Sequence, residues 1–403
     1  MAKQIKILDL HHLGVASEAV TASKKTFDVF EKTNLKNLSG NDINYLAIHI
    51  WQPFDIKYIV DNIPNEVFLL MQQGVVRPLI VMTVEQWDLF NVFSWKQNKF
   101  DLVPDFANIP YSNLVRYFTN RSVPEENITW LVPDANWKKD IDFLRSKGYK
   151  IACKFIQFDH FLQQMKTVAE DYNIQNRNFK KHFSCLCRGK PRNHRYGMIY
   201  KLWQQKLFEF GNVSCEKFHN LIESKNSNLL NDDTSTEEFM SRFDNWQTDR
   251  DRFTEILPLT YDGRVNAHWQ MDQYQESKIF EESFLWISNE TKKTHTGVYI
   301  TEKTWKSIAY GNPFCINGDS GSLAQLHEMG FKTFGDFWDE SYDTDSDISK
   351  IDKISNIVKM LSTKTLPELD QIYVDMLPIL KYNQQHLRNH PQRENLTKAL
   401  RYE

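Results

Sequence analysis

The stretch Gly297–Asn317, GVYITEKTWKSIAYGNPFCIN, leaves its part of the chain few choices. Val298 and Ile300 mark a short strand over Gly297–Thr301. Thr301 suits a helix N-cap, because its hydroxyl can accept from an N–H of the first turn that lacks an intrahelical partner. Trp305, Ile308 and Ala309 then recur at i, i+3 and i+4, the spacing of one apolar helix face. Gly311 fits the left-handed position after a helix, and Pro313 stops any continuation. A second apolar run, Pro313–Asn317, follows. Strands joined by a crossover helix lie parallel, so this segment predicts a βαβ unit.

The same alternation runs along the whole chain. The expected strands of the first half are Ile5–Leu10, Asn44–Trp51, Pro78–Thr83, Ile128–Val132 and Tyr149–Phe155, with Val20–Glu31 suited to a crossover helix. In the second half they are Phe183–Cys187, Gly211–Cys215, Glu255–Leu259, Ser283–Ser288, Gly297–Thr301, Pro313–Asn317 and Thr333–Phe334. Asn226–Asp251 is acidic and polar, the composition of a surface excursion. A helical region runs to about Met376, and a terminal helical segment Leu377–Arg401 follows, which Pro391 would break. At 403 residues the chain exceeds one ordinary core. The polar stretch Gln164–Lys181 marks a crossing between a first domain, 1–175, and a second, 176–376; residues 377–403 then cross back. The fold class expected is α/β, two Rossmann-like domains facing a central cleft, with ligands at the carboxyl ends of the strands.

Several function classes lose ground on composition. A net charge of −3 gives no global basic field for nucleic acid, although a local patch remains open. No run of about 18 apolar residues offers a membrane span. The opening MAKQIKILDL has no signal-peptide core, so a cytoplasmic protein is expected. The five cysteines are dispersed without a CxxC pair, which argues against a disulfide framework and a structural zinc site.

Two constellations carry chemistry. The first places Glu302 and Lys303 in the opening turn of the helix after Thr301. A helix N-terminus favours a diphosphate, Lys303 adds a point cation, and a carboxylate such as Glu302 can accept both hydroxyls of a ribose. An ordinary i,i+4 surface pair between Glu302 and Lys306 explains the spacing equally well. The second is FSCLCRGKPRNHRYGMIYKLW, residues 183–203, where Arg188, Lys190, Arg192, His194 and Arg195 lie between a strand and a helix. Arg188 and Arg195 suit a phosphate clamp, since arginine makes bidentate contacts; a solvated loop is the competing reading, stronger for Lys190 and Arg192.

ITEKTWKSIAYGNPF resembles the donor-binding signature of α-1,3-fucosyltransferase-like enzymes. Glycosyltransferase-like proteins encoded by tailed phages and large viruses are more similar still. They share an upstream SxxxxxxET, here Ser283–Thr291, and a downstream GFKTF…DESYD, here Gly330–Asp343. The resemblance spans about residues 183–343 and is loose in the first domain. It implies a GT-B-type fold, with Glu302 on the nucleotide ribose and Lys303 on the diphosphate. It implies no cofactor beyond a nucleoside-diphosphate sugar as donor substrate, and a phage-encoded chain would work in the cytoplasm of an infected host cell.

No metal is expected. Asp343-Thr-Asp345-Ser-Asp347 has DxD spacing but lacks the glycine and terminal glutamate of a calcium loop, so it reads as an acidic surface loop. For a base to take the acceptor proton, the positional candidates are Glu85 and His12 (beside His11), at expected strand ends. Glu290 follows strand Ser283–Ser288 in the matched region and is a third candidate, for catalysis or for the donor sugar. His49, within a strand, reads as a core histidine.

The function expected is metal-independent transfer of a sugar from a nucleoside diphosphate to a hydroxyl, with inversion. The acceptor stays open between 5-hydroxymethylcytosine in phage DNA, taking glucose or arabinose, and a glycan or small molecule. A non-catalytic nucleotide-binding protein of the same fold is the rival from another class. A phosphoryl-transfer enzyme is disfavoured by the lack of GxxxxGK[ST].

Overall fold

The computed structural model describes residues 4–8, 30–38, 41–49, 60–81, 93–96, 99–102, 110–133, 137–175, 177–187, 192–215, 236–259, 277–290, 298–345 and 347–401. Backbone contacts divide the chain into two units, Met1–Gln163 with Pro391–Glu403, and Gln164–His390.

The first unit contains β1 (Ile5–Leu8), β2 (Glu31–Thr33), β3 (Ile43–His49), α1 (Asn65–Gln72) and β4 (Val76–Val81). A β5–β6 hairpin (Phe93–Lys96, Lys99–Leu102), α2 (Pro110–Thr119), β7 (Thr129–Val132), α3 (Trp137–Ser146), β8 (Lys154–Gln157) and α4 (His160–Asp171, which runs into the second unit) follow. Its main sheet has the order β2-β1-β3-β4-β7-β8, every pair parallel. Strands of a parallel sheet are covered on both faces, which is why VRPLIV and TWLV read as nearly unbroken apolar runs. Register places Ile48, Ile80, Trp130 and Phe155 in one row on one face. The alternate residues Ala47, Leu79 and Leu131 lie on the other, in the core that Leu396 and Leu400 complete.

Three expectations shift here. Glu31 belongs to β2, not to a crossover helix; of Val20–Glu31 only Phe30 and Glu31 are described. The strand expected at Tyr149–Phe155 begins at Lys154, because Gly148 ends α3 in the left-handed region (φ +88°) and the chain needs several residues to reach the sheet. The β5–β6 hairpin was not foreseen, since two four-residue strands carry too little pattern to stand out.

The second unit holds β9 (Lys181–Cys187), α5 (Asn193–Gln204), β10 (Gly211–Cys215), α6 (Thr236–Met240), α7 (Trp246–Glu255), α8 (Ser277–Glu282) and β11 (Ser283–Asn289). It continues with α9 (Glu302–Tyr310), β12 (Phe314–Asn317), α10 (Ser322–Glu328), α11 (Asp347–Ser362) and α12 (Leu366–Asn389). After a break at His390–Pro391, α13 (Gln392–Arg401) returns to the first unit. The sheet order is β10-β9-β11-β12, all parallel. Two Rossmann-like α/β units are therefore present, each with its own parallel sheet. Among the described residues no helix is long and apolar enough to cross a membrane.

The βαβ unit exists, but its first strand is β11. Trp286 pairs directly with Phe314, which leaves no slot for a strand between β11 and β12. Val298–Ile300 is instead buried irregular chain, with the Tyr299 N–H donating to Asp319 Oδ2 at 3.3 Å. Glu255–Leu259 is also no strand. It is the end of α7 and a cis Leu257–Pro258 bond, and only Leu259 reaches Cys215, by a lone antiparallel bridge. Thr333–Phe334 is irregular chain anchored on the Glu340 carboxylate.

Of the expected surface excursion, the described residues 236–251 turn one face into the core and expose the other. Phe239, Met240, Phe243 and Trp246 are buried and, with Phe253, cover α5, where Tyr200 meets Trp246 at 5.2 Å edge-on. A Cβ on Gly197 would come within 2.7 Å of the Phe243 ring. Acidic residues between these aromatics masked the apolar face. Finally, α12 runs unbroken through Met376 with Pro378 inside it, so the chain breaks only at Pro391.

Candidate functional site

Parallel strands end on the same edge, so β9, β11 and β12 bring Cys187, Asn289 and Asn317 together at the carboxyl edge of the second sheet. Two buried amides stitch these ends. Asn289 Nδ2 donates to Cys185 Sγ (3.1 Å) and Cys187 Sγ (3.3 Å). Asn317 Nδ2 donates to Asn289 Oδ1 (2.7 Å) and to the His194 carbonyl (3.0 Å), which ties in the start of α5. Neither asparagine was singled out from sequence. The one available signal was a polar residue closing an otherwise apolar strand.

Glu290 comes next and is fully buried. Its backbone N–H donates to the Asn317 carbonyl at 3.1 Å. Its own carbonyl accepts from Arg195 Nε (3.1 Å), Arg195 Nη2 (2.9 Å) and His194 Nε2 (3.0 Å), so that ring nitrogen carries the proton. The carboxylate accepts from the Thr301 N–H (3.2 Å), the Thr301 hydroxyl and the Thr304 hydroxyl (2.6 Å). Burial pushes this carboxyl above its ordinary range, opposed by Lys303 and the two threonine hydroxyls.

The Thr301 hydroxyl accepts from the Lys303 N–H at 3.5 Å and from Lys303 Nζ at 3.1 Å. Lys303 Nζ also meets Glu302 Oε1 at 2.6 Å, and both side chains keep about a quarter of their surface, 24% and 22%. Burial alone would raise the Glu302 carboxyl. Lys303, with help from Lys306, instead holds it down to about 2, so it is ionised at neutral pH. At the far end Gly311 takes φ +66° and its N–H returns to Ile308 at 3.2 Å. Ile174 occupies the space a Cβ on Gly311 would need. Trp305, Ile308 and Ala309 are buried, forming the packing face the spacing foretold.

Gly318–Ser322 opens α10, with Gly321 as N-cap at φ +86°. Two features of this turn escaped the sequence reading. Lys350, fully buried on α11, donates to the Gly318 and Asp319 carbonyls at 3.2 Å each. Asp343 is no surface residue: its carboxylate caps α10 through the Leu323 N–H (3.0 Å) and the Ala324 N–H (3.2 Å). Asp345 instead meets Lys353 at 2.7 Å. Among the described residues no group of three or more His, Cys, Asp or Glu is placed to hold a metal ion.

The structure thus brings Glu290, Arg195, Glu302 and Lys303 to one edge, with Lys306 half-buried one turn along α9. Arg195 is buried and makes its contacts with the Glu290 carbonyl. His12, Glu85 and Arg188 lie outside the described residues, as do His11 and Lys190. Chemically, the edge offers the N-termini of α5 and α9, a lysine and an ionised carboxylate. That set can receive an anion and a pair of hydroxyls side by side.

No protein-family model matches the sequence, and no curated protein matches it. Solved structures align at low identity. One, described as trehalose-6-phosphate from E. coli bound with UDP-2-fluoro glucose, is 12% identical over 95% of this chain and 76% of its own, TM-score 0.44. An OtsA apo structure is 13% identical over 95% and 76%, TM-score 0.45. A T4 phage BGT mutant in complex with UDP-glucose is 12% identical over 98% and 99%, TM-score 0.41. Likeness at this level decides neither substrate nor residue roles.

Proposed function

We propose that the chain is a glycosyltransferase that takes its sugar from a nucleoside-diphosphate donor held on the second unit. The observation that supports this most is the Glu302–Lys303 pair at the N-terminus of α9, beside the carboxyl end of β11. Ionised Glu302 accepts the ribose hydroxyls, while Lys303 turns from Glu302 to the diphosphate with Thr301 still beside it. The N-termini of α5 and α9 add the partial positive charge of their helix ends. Lys306 and Arg188 contribute further positive charge to the donor, and Arg195 acts through its hold on Glu290. Cations and helix ends in these places can carry the leaving diphosphate without a metal.

Transfer proceeds with inversion, the acceptor hydroxyl giving its proton to Glu85 or His12 in the first unit. One acceptor consistent with this donor site is 5-hydroxymethylcytosine in DNA, taking glucose or arabinose, with the base turned out of the helix to reach the site. A glycan or small-molecule hydroxyl is the other acceptor.

A melting-temperature screen with UDP-, GDP-, ADP-, CDP- and dTDP-sugars tests the donor, because a ligand bound only by the folded state raises the midpoint. One nucleotide class should stabilise the chain, and donor hydrolysis should be measurable without acceptor. Glu302→Ala and Lys303→Ala should each abolish turnover while lowering the melting temperature of the free protein only modestly. Full activity in either variant overturns the site; tight binding without hydrolysis or transfer identifies a non-catalytic nucleotide-binding protein. Sugar transfer to hydroxymethylcytosine duplex, set against transfer to free glycans, separates the acceptors.

A further inference from the structure

We infer that Glu290 is a positioning residue that sets the N-terminal turn of α9 against that of α5, and so fixes where a nucleoside diphosphate is received. The ligand in this statement rests on the proposed function; the holding role does not.

One buried residue touches four elements. Its N–H continues the ladder to β12 through Asn317, and its carbonyl takes both Arg195 and His194 from the first turn of α5. Its carboxylate takes the Thr301 N–H and the hydroxyls of Thr301 and Thr304, one before α9 and one within its first turn. Its Cβ and Cγ pack against Gly318, where an added Cβ would come to 3.0 Å. That turn is in turn held by Lys350.

Such an arrangement suits holding better than contact with a sugar. The carboxylate is fully buried and faces three donors that all belong to the α9 turn. A carboxylate only accepts, so it dictates the direction of all three hydrogen bonds. The Thr301 hydroxyl, obliged to donate to Glu290, is left to accept from Lys303 Nζ and the Lys303 N–H. Glu290 therefore orients the lysine through the threonine. A glutamine at 290 would place an NH₂ group against a hydroxyl or an N–H that now donates.

Glu290→Gln, Glu290→Ala, Thr304→Val and Thr304→Ser in the full chain test this. Titration uses UDP, GDP, ADP, CDP and dTDP; amide hydrogen exchange follows residues 298–306. Glu290→Gln and Thr304→Val should weaken binding of the preferred nucleotide by roughly tenfold or more, with the saturated donor-hydrolysis rate changed much less. Thr304→Ser, which keeps the hydroxyl, should bind like the unsubstituted chain. Glu290→Ala should speed exchange of the Thr301 and Lys303 amides without ligand. A collapse of the saturated rate at unchanged affinity would overturn the inference, because Glu290 would then act on the reacting atoms. Unchanged affinity and unchanged exchange would overturn it as well, leaving Glu290 a core filler. If no nucleotide binds the unsubstituted chain, the donor reading falls, and the exchange result alone decides whether Glu290 holds the turn.

Discussion

The two parallel sheets share an architecture and differ in what fills them. In the first, buried polar side chains such as Asn44 and Thr129 lie near strand starts, the buried middle is mostly apolar, and the row Ile48, Ile80, Trp130, Phe155 is joined by ring contacts such as Trp130 on Phe155 at 6.2 Å. In the second, buried polar groups run through the strands. Ser184 meets Ser283 at 2.7 Å, Asn212 donates to Ser283 at 3.0 Å, and Asn289 and Asn317 stitch the carboxyl edge. Apolar packing is non-directional, whereas a hydrogen bond weakens steeply as its angle and distance depart from the optimum. The first sheet is thus built mainly for cohesion and the second for placement. The difference teaches where to look for function: at the edge where hydrogen bonds, not volume, decide position.

Leu131→Ala should show the largest effect and test one side of this contrast. Leu131 is fully buried beside Leu79, Leu396 and Leu400. Its truncation should cost about 2–5 kcal/mol in denaturant unfolding and leave nucleotide affinity unchanged. An equal loss of affinity would erase the distinction between the sheets. Asn289→Ala should lower both stability and affinity. Asn317 Nδ2 loses an acceptor, so stability should fall by about 1–3 kcal/mol, while affinity drops because α5 and Glu290 lose their shared anchor. Intact affinity would mean that the stitching is structural only.

The smallest effect concerns acid. Glu302 is held down to about 2 against an ordinary 4.5, so the unfolded chain binds more protons between these values. Its contribution is fully present above about pH 4.5 and is lost as pH falls toward 2. The melting-temperature difference between the unsubstituted chain and Glu302→Gln should therefore shrink between pH 6 and pH 3. A constant difference would remove the electrostatic role of Lys303. Glu290, shifted upward by burial, acts with the opposite sign: its contribution weakens as pH rises through its folded value, so Glu290→Gln should not share that loss.

Much of this was legible beforehand, and the exceptions have physical reasons. The caps of α9, its packing face and its glycine stop follow from local rules, and each is present. The identity of its partner strand is a long-range choice, which is why Val298–Ile300 mimicked a strand that β11 supplies. Phe239, Phe243 and Trp246 were hidden by acidic neighbours, although a helical reading of those aromatics would have exposed one face. Glu302 and Lys303 were singled out because their types match a ligand. Asn289, Asn317 and Lys350 were missed because their partners are carbonyls, amides and sulfurs, which leave no mark in a sequence.

The return of α13 has a consequence for synthesis. Leu396 and Leu400 sit in the core of the first unit, and the Tyr45 hydroxyl donates to the Leu400 carbonyl at 3.3 Å. A ribosome makes the strands of that unit before α13, with every residue of the second unit in between. Vectorial folding therefore cannot complete the first core as it emerges. Tyr45, Leu79 and Val81 share a core with Leu396 and Leu400 only once α13 has been made.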